Sequence, residues 1–231
     1  MAWGDQIASR AALDHDENVT NLDVAFANNV TAGNTLIVGG AAYGYTDTPA
    51  LTITDTLGTT YTHALYFDPE DTPGIVFIAY GTAPSSGACT VNVEADQNAD
   101  ITFGVDEREG QSALSVSLLG ARGQDTAPQK AITAVQEREL HLGVVNWWYS
   151  GGYASCTPYT DYTQIVEFDS DTGGAVMNCN FEYRIVTASG GYTTRWTLSA
   201  SKDWMSCTIG LKEAAAASPS LVYLEIIADF V

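Results

Sequence analysis

The 231-residue chain reads as an all-β protein, a single antiparallel β-sandwich of jelly-roll or Ig-like type with an arm at each end. Three observations predict this. Leu51-Thr-Ile53-Thr-Asp55 alternates apolar and polar side chains with the period of two that a half-buried strand needs. Thr35-Leu-Ile-Val38 and Ile75-Val-Phe-Ile-Ala-Tyr80 are continuous apolar runs, as expected of strands buried on both faces. Turn signals recur about every 8 to 15 residues, a sandwich rhythm rather than an alternation of strands and helices.

Residues 1–18 are polar, close with Asp14-His-Asp-Glu-Asn18, and read as an N-terminal arm. Leu22 to Phe26 is the first strand. Asp55-Thr-Leu-Gly58 turns the chain, because Asp bonds the backbone ahead of it and Gly accepts positive φ. Thr59 to Thr62 then returns as the hairpin partner of Leu51 to Asp55. Asp68 to Gly74 holds two prolines and reads as an exposed loop. Ala83–Gly87 and Asp96–Asp100 are turns, the second leading into a strand from Ile101 to Glu107. Ser112 to Leu119 alternates, and Gly120 to Pro128 reads as a long crossing loop. Ala131 to Glu139 is a strand or a short helix, with the strand preferred. His141 to Tyr149 is a strand that runs into an aromatic tip, followed by a Gly- and Tyr-rich loop to Tyr162 and an acidic turn from Glu167 to Gly174. Ala175–Val186, Thr193–Ser199 and Ser206–Lys212 complete a domain spanning residues 19–213, with Gly190-Gly191-Tyr192 in a turn.

Residues 214–231 read as a linker and a C-terminal strand arm. Leu221, Tyr223, Leu224, Ile226, Ile227 and Phe230 make that arm apolar on both faces. A strand of this kind is expected to pair with a free sheet edge, of a neighbouring subunit or, as the alternative, of its own sandwich.

Nine Lys and Arg against 28 Asp and Glu give a net charge of −19. Such a surface repels nucleic acid and anionic membranes. No apolar run approaches the roughly 20 residues of a membrane-spanning helix. Met1 to Gln6 has neither the basic start nor the apolar stretch of a signal peptide, so synthesis in a cytoplasm is expected. Cys89, Cys179 and Cys207 each alternate in phase with apolar neighbours and are expected in the core, where free Cys acts as a small hydrophobe.

His15, His63 and His141 are far apart, and no nucleophile elbow, phosphate loop or zinc-protease motif occurs. No catalytic, cofactor-binding or metal-binding residue is therefore assigned. Asp68/Glu70 and Asp106/Glu107 are the pairs a glycosidase reading would use, yet neighbours of this kind arise by chance among 28 carboxylates. Asp169-x-Asp171 and the Asp68–Asp71 loop read as solvated turns ahead of Ca²⁺ sites. Trp147, Trp148, Tyr149, Tyr153, Tyr159 and Tyr162 crowd a Gly-rich loop. Two readings of them stay open: stacking on a sugar or a protein partner, or alternate members filling the end of the core.

Val30-Thr-Ala-Gly-Asn-Thr-Leu-Ile-Val38 and Thr52-Ile-Thr-Asp-Thr-Leu-Gly-Thr-Thr-Tyr-Thr62, with Thr90–Val93, Ile101–Val105 and Trp204–Lys212, resemble a β-sandwich module found in tailed-phage structural proteins and bacterial surface proteins. The likeness covers roughly residues 19–213 and rests on packing and turn motifs, so no catalytic residue comes with it. It implies a non-enzymatic virion structural protein, most simply one that decorates or cements a capsid. The expected partners are the major capsid protein or other virion proteins, in a homo-oligomer, with neither nucleic acid nor membrane. The alternative is a carbohydrate-binding tail-fibre or cell-surface adhesin module that takes a glycan at the aromatic loop.

Overall fold

The computed structural model describes residues 12–67, 73–148, 154–168 and 177–214. Among these the chain forms fourteen strands and no helix: β1 (Ala12–Ala25), β2 (Thr35–Gly44), β3 (Leu51–Asp55), β4 (Thr62–Phe67), β5 (Gly74–Thr82), β6 (Thr90–Arg108), β7 (Ser112–Asp125), β8 (Gln129–Ala134), β9 (Leu140–Trp148), β10 (Cys156–Pro158), β11 (Thr163–Phe168), β12 (Met177–Ile185), β13 (Gly190–Leu198) and β14 (Lys202–Glu213). All pairings are antiparallel. The strands make a six-stranded sheet ordered β1-β6-β2-β5-β4 with β3 on β6, a five-stranded sheet ordered β11-β12-β9-β14-β7, and a three-stranded sheet ordered β10-β13-β8. The fold is thus an all-β, antiparallel sandwich of layers, as the alternation and turn spacing predicted.

Three cores follow from this order. The first lies within the six-stranded sheet. Val91, Val93, Ala99, Ile101, Phe103 and Val105 on one face of β6 share a single cluster with Leu36 and Val38 of β2 and Leu51 and Ile53 of β3. β6 can serve both groups because β3 pairs with its first half and β2 with its second, so the sheet curls around its own apolar face. The second core joins the other face of that sheet (Ile37, Val76, Ile78) to the five-stranded sheet (Leu142, Val144, Phe181, Ile209). The third joins the far face of the five-stranded sheet (Val145, Trp147, Trp204) to the three-stranded one (Cys156, Trp196, Leu198). Each fully buried large side chain contributes about 1.5–3 kcal/mol.

A glycine seats an aromatic ring at each layer boundary. A Cβ on Gly39 of β2 would lie 2.8 Å from the Phe181 ring, and one on Gly143 of β9 would lie 3.0 Å from the Trp196 ring. The absent side chains let Phe181 and Trp196 rest directly on the neighbouring strand.

The two-faced apolar runs are buried throughout, as β2 and β5. Cys89, Cys179 and Cys207 are core residues, and Cys156 joins them; all four are free thiols. Other expectations are corrected. Thr59–Thr62 does not pair with β3. The turn itself forms, with Gly58 at φ +78°, but Asp55 then accepts hydrogen bonds from the Leu57 and Thr59 N–H groups and the Tyr61 hydroxyl. These bonds carry the chain away from β3, to join β5 from Thr62 onward. Asp96–Asp100 is not a turn but the middle of β6. Its register against β1 is irregular there: β1 carries one extra residue between Asp16 and Val19, β6 carries three between Glu94 and Ala99, and Asn18 at φ 55° donates its N–H to Asp100. β1 begins at Ala12, so the boundary read at residue 18 falls inside a strand. Gly120–Asp125 continues β7 rather than opening a loop, with Gly123 making room for the Trp204 ring. Gly190–Tyr192 belongs to β13 rather than a turn.

Candidate functional site

Trp147 resolves one half of the aromatic question. It is 0% exposed, packs in the third core, and donates its indole N–H to the Ala154 carbonyl at 3.0 Å. It is a core residue, not a contact residue, because the three-stranded sheet covers the face of β9 on which it stands. Tyr162 is buried as well, whereas Tyr159 is 42% exposed. The Trp148 side chain, Tyr149 and Tyr153 lie outside the described residues, as do Leu221, Tyr223, Leu224, Ile226, Ile227, Phe230 and the pairs Asp68/Glu70 and Asp169/Asp171. Asp106 and Glu107 point to opposite faces of β6. Asp106 pairs with the Arg108 guanidinium at 2.5 Å, and Glu107 accepts from the Thr31 N–H and the Asn34 amide. They form no acid pair.

The densest polar arrangement sits where the three-stranded sheet covers the five-stranded one. Alternate residues of β12, Asn178, Asn180, Glu182 and Arg184, face this way, beside Glu139 and His141 at the start of β9. The pairing of β12 with β9 sets Arg184 opposite His141 and Glu182 opposite Gly143. From β13 come Tyr192, Thr194 and Trp196. The Trp196 indole N–H donates to Asn180 Oδ1 at 3.1 Å, and the His141 ring meets Tyr192 edge to face at 5.3 Å. Glu139 Oε1 accepts the Val135 and Gln136 N–H groups, closing the turn after β8, while its Oε2 lies 3.5 Å from His141 Nε2.

Glu139, His141 and Glu182 are all 0% exposed. Neither carboxyl oxygen of Glu182 has a hydrogen-bond partner among the described residues, and the Tyr162 hydroxyl is likewise unpartnered. Burial raises the Glu182 carboxyl well above the usual carboxylate range, against a smaller opposing pull from the Arg195 backbone amide. Desolvation lowers the His141 imidazole, and the neighbouring Glu139 carboxylate offsets this only in part. A low-dielectric interface disfavours the charged form of each group. The chemistry on offer is a carboxyl beside a neutral imidazole, closed between two packed sheets. Among the described residues no group of three or more His, Cys, Asp or Glu is placed to hold a metal ion.

At the rim of this interface the side chains reach solvent. The turn from Tyr159 to Tyr162 docks on β13 through a hydrogen bond from the Tyr159 N–H to the Arg195 carbonyl at 2.8 Å. Arg195 lays its guanidinium 4.5 Å from the Tyr159 ring centroid. Arg184, 28% exposed, lies between Tyr192 at 4.8 Å and Tyr162 at 5.8 Å and pairs with Asp161 at 3.0 Å. Arg195 has no carboxylate partner among the described residues, and its Nε has no acceptor.

This patch stands out against the charge distribution. Residues 11–107 hold fourteen Asp and Glu and not one Lys or Arg, whereas residues 108–231 hold thirteen acidic against eight basic. Sequence reasoning missed Glu139, Glu182, Arg184 and Arg195, and took His141 as plain structure. The usable signal was the polar alternation Asn178, Asn180, Glu182, Arg184, which marks a polar face but does not say whether a further layer covers it. Comparison of the chain with family models, curated proteins and solved structures gave no match.

Proposed function

We propose that the chain is a non-enzymatic virion structural protein of a tailed bacteriophage, a β-sandwich that decorates or cements the capsid. The observation that carries this reading is where the reactive groups lie. Glu139, His141 and Glu182 are closed between two sheets, while acidic strand faces and an Arg/Tyr rim reach solvent. Buried groups of this kind join layers, and exposed faces join molecules. The phage setting comes from the sequence resemblance, with the major capsid protein or other virion proteins as partners and assembly following synthesis in the host cytoplasm. Imaging of purified particles tests the reading. Density for this chain on the outer capsid supports it; absence from the virion, or a place inside against the genome, contradicts it.

A glycan-binding tail-fibre or cell-surface adhesin module is the second reading, favoured by the exposed Tyr159 ring. A glycan array probed with wild type and Tyr159→Ala separates the two. A sugar bound by the wild type and lost in the variant selects the adhesin; no binding by either removes its support.

A further inference from the structure

We infer that copies of this chain associate head to tail, the Arg195–Tyr159 rim of one docking on the acidic face that β1, β6 and β3 present on the next. The inference deepens the assembly reading above by naming the two surfaces. On the donor side, Arg195 is the telling residue. In a chain with 28 acidic and nine basic residues, it makes no ion pair among the described residues. The Tyr159 ring holds its guanidinium in place 4.5 Å away, so little side-chain freedom remains to be lost on binding. A guanidinium positioned in this way matches a carboxylate through paired N–H bonds.

The acceptor side is the outward face of the curled sheet. Asn21 and Asp23 of β1, Asn92 and Glu94 of β6, and Thr52 and Thr54 of β3 lie side by side there in register. Asp23, Glu94, Thr52 and Thr54 are exposed. Asn92 donates to Asp23 at 2.8 Å, which leaves Glu94 as the unengaged carboxylate at the centre. The stretch from residue 11 to 107 carries no cation that could neutralise it. The two surfaces lie on different layers of one molecule, so their pairing is heterologous and builds a ring or an open string. The partner is identified by charge complementarity: a half-buried guanidinium with no ion pair among the described residues, and a sheet face whose exposed charged groups are the acidic Asp23 and Glu94.

The test is sedimentation of the full chain over a concentration series, at about 0.05 M and about 0.5 M salt, where screening differs several-fold in reach. Self-association at low salt that weakens at high salt is expected. Arg195→Glu and Glu94→Lys should each raise the dissociation constant at least about tenfold, and the two together in one chain should restore much of the loss. Asp23→Lys serves as a second acceptor variant, and circular dichroism of every variant checks that it is folded. A wild type that stays monomeric at low salt overturns the inference, as do single variants that associate like wild type. If Arg195→Glu weakens association but Glu94→Lys and Asp23→Lys do not, the acceptor face is wrong. If Arg195→Glu instead abolishes binding to an acidic glycan while the wild type is monomeric, the rim serves a sugar. Any of these failures leaves the capsid reading standing, since that depends on where the chain lies in the particle.

Discussion

Glu107, Asp100 and Asp55 of the curled sheet and Glu182 of the outer layers all stand on strands, yet they are treated in opposite ways. In the curled sheet each is met by donors. Glu107 accepts from the Thr31 N–H and the Asn34 amide, and Asp100 accepts from the Asn18 N–H and the Tyr45 hydroxyl. Asp55 takes three hydrogen bonds; burial pushes its carboxyl up, but the bonds from Thr59, Tyr61 and Leu57 outweigh this and hold it below the usual range. Under the three-stranded sheet neither Glu182 oxygen has a hydrogen-bond partner among the described residues, and desolvation outweighs the weaker pull of the Arg195 backbone amide. The difference lies in what covers each group. Turns and bulges bring free backbone N–H groups to the curled sheet's rim, whereas a strand laid across a sheet face has spent its N–H groups on its own neighbours. Glu182, set mid-strand at a layer boundary, therefore stays unmet, whereas Glu139 beside a turn accepts two backbone N–H groups; an unmet buried carboxyl favours its neutral form.

Wedging the layers apart should have the largest effect. Gly39→Val drives side-chain atoms into the Phe181 ring and separates the curled sheet from the rest, at a cost of about 1–3 kcal/mol or more. Gly143→Val acts on Trp196 instead. It is expected to loosen the three-stranded sheet while leaving the first core intact. Thermal melts give the size of each effect, and hydrogen exchange gives its location.

Next come the titrations, where Asp55 and Glu182 should respond with opposite sign. The Asp55 pKa is depressed in the fold, so its stabilisation is present above its unfolded value near 4 and is lost as pH falls through the lower folded one. Asp55→Asn should cost about 1 kcal/mol or more at neutral pH and less in acid. Glu182 is raised, so its favourable contribution is full below about pH 4.5 and is lost as pH rises through its folded value. Glu182→Gln should thus gain on wild type as pH rises. His141 is depressed and neutral in the fold, so stability falls as pH drops below about 6.5, and His141→Gln should blunt that acid-side loss. Urea unfolding at a series of pH values checks all three. The smallest effect belongs to the rim: Arg195→Glu should cost about 1 kcal/mol, read from the same unfolding curves, because its guanidinium stacks on Tyr159 and makes no ion pair among the described residues.

Much of the curled sheet was legible in the sequence, because apolar runs and period-two alternation report burial directly. β2, β3 and β5 fall where those patterns put them. β6 was split wrongly at Asp96–Asp100, since the polar residues of a bulge within β6 itself look like the residues of a turn. The three-stranded sheet was not legible as a layer. Its strands β8 and β13 alternate, but which face they cover depends on pairings distant in sequence. For that reason Glu182 was passed over and His141 looked plain. Trp147 was readable only as an alternative, because a large aromatic beside a glycine-rich loop suits a core as well as a contact.

The sharpest test of the contrast is the difference in amide exchange protection between wild type and Glu182→Gln, followed from about pH 5 to about pH 9 and corrected for intrinsic rates. Any contribution from His141 is common to both proteins and cancels. The expected result is a gain in protection for the variant that grows with pH and is confined to β8, β12 and β13, with β2, β5 and β6 unchanged. A difference that is absent, that shrinks with rising pH, or that spreads evenly into the curled sheet would contradict the claim that an unmet carboxyl governs the outer layer.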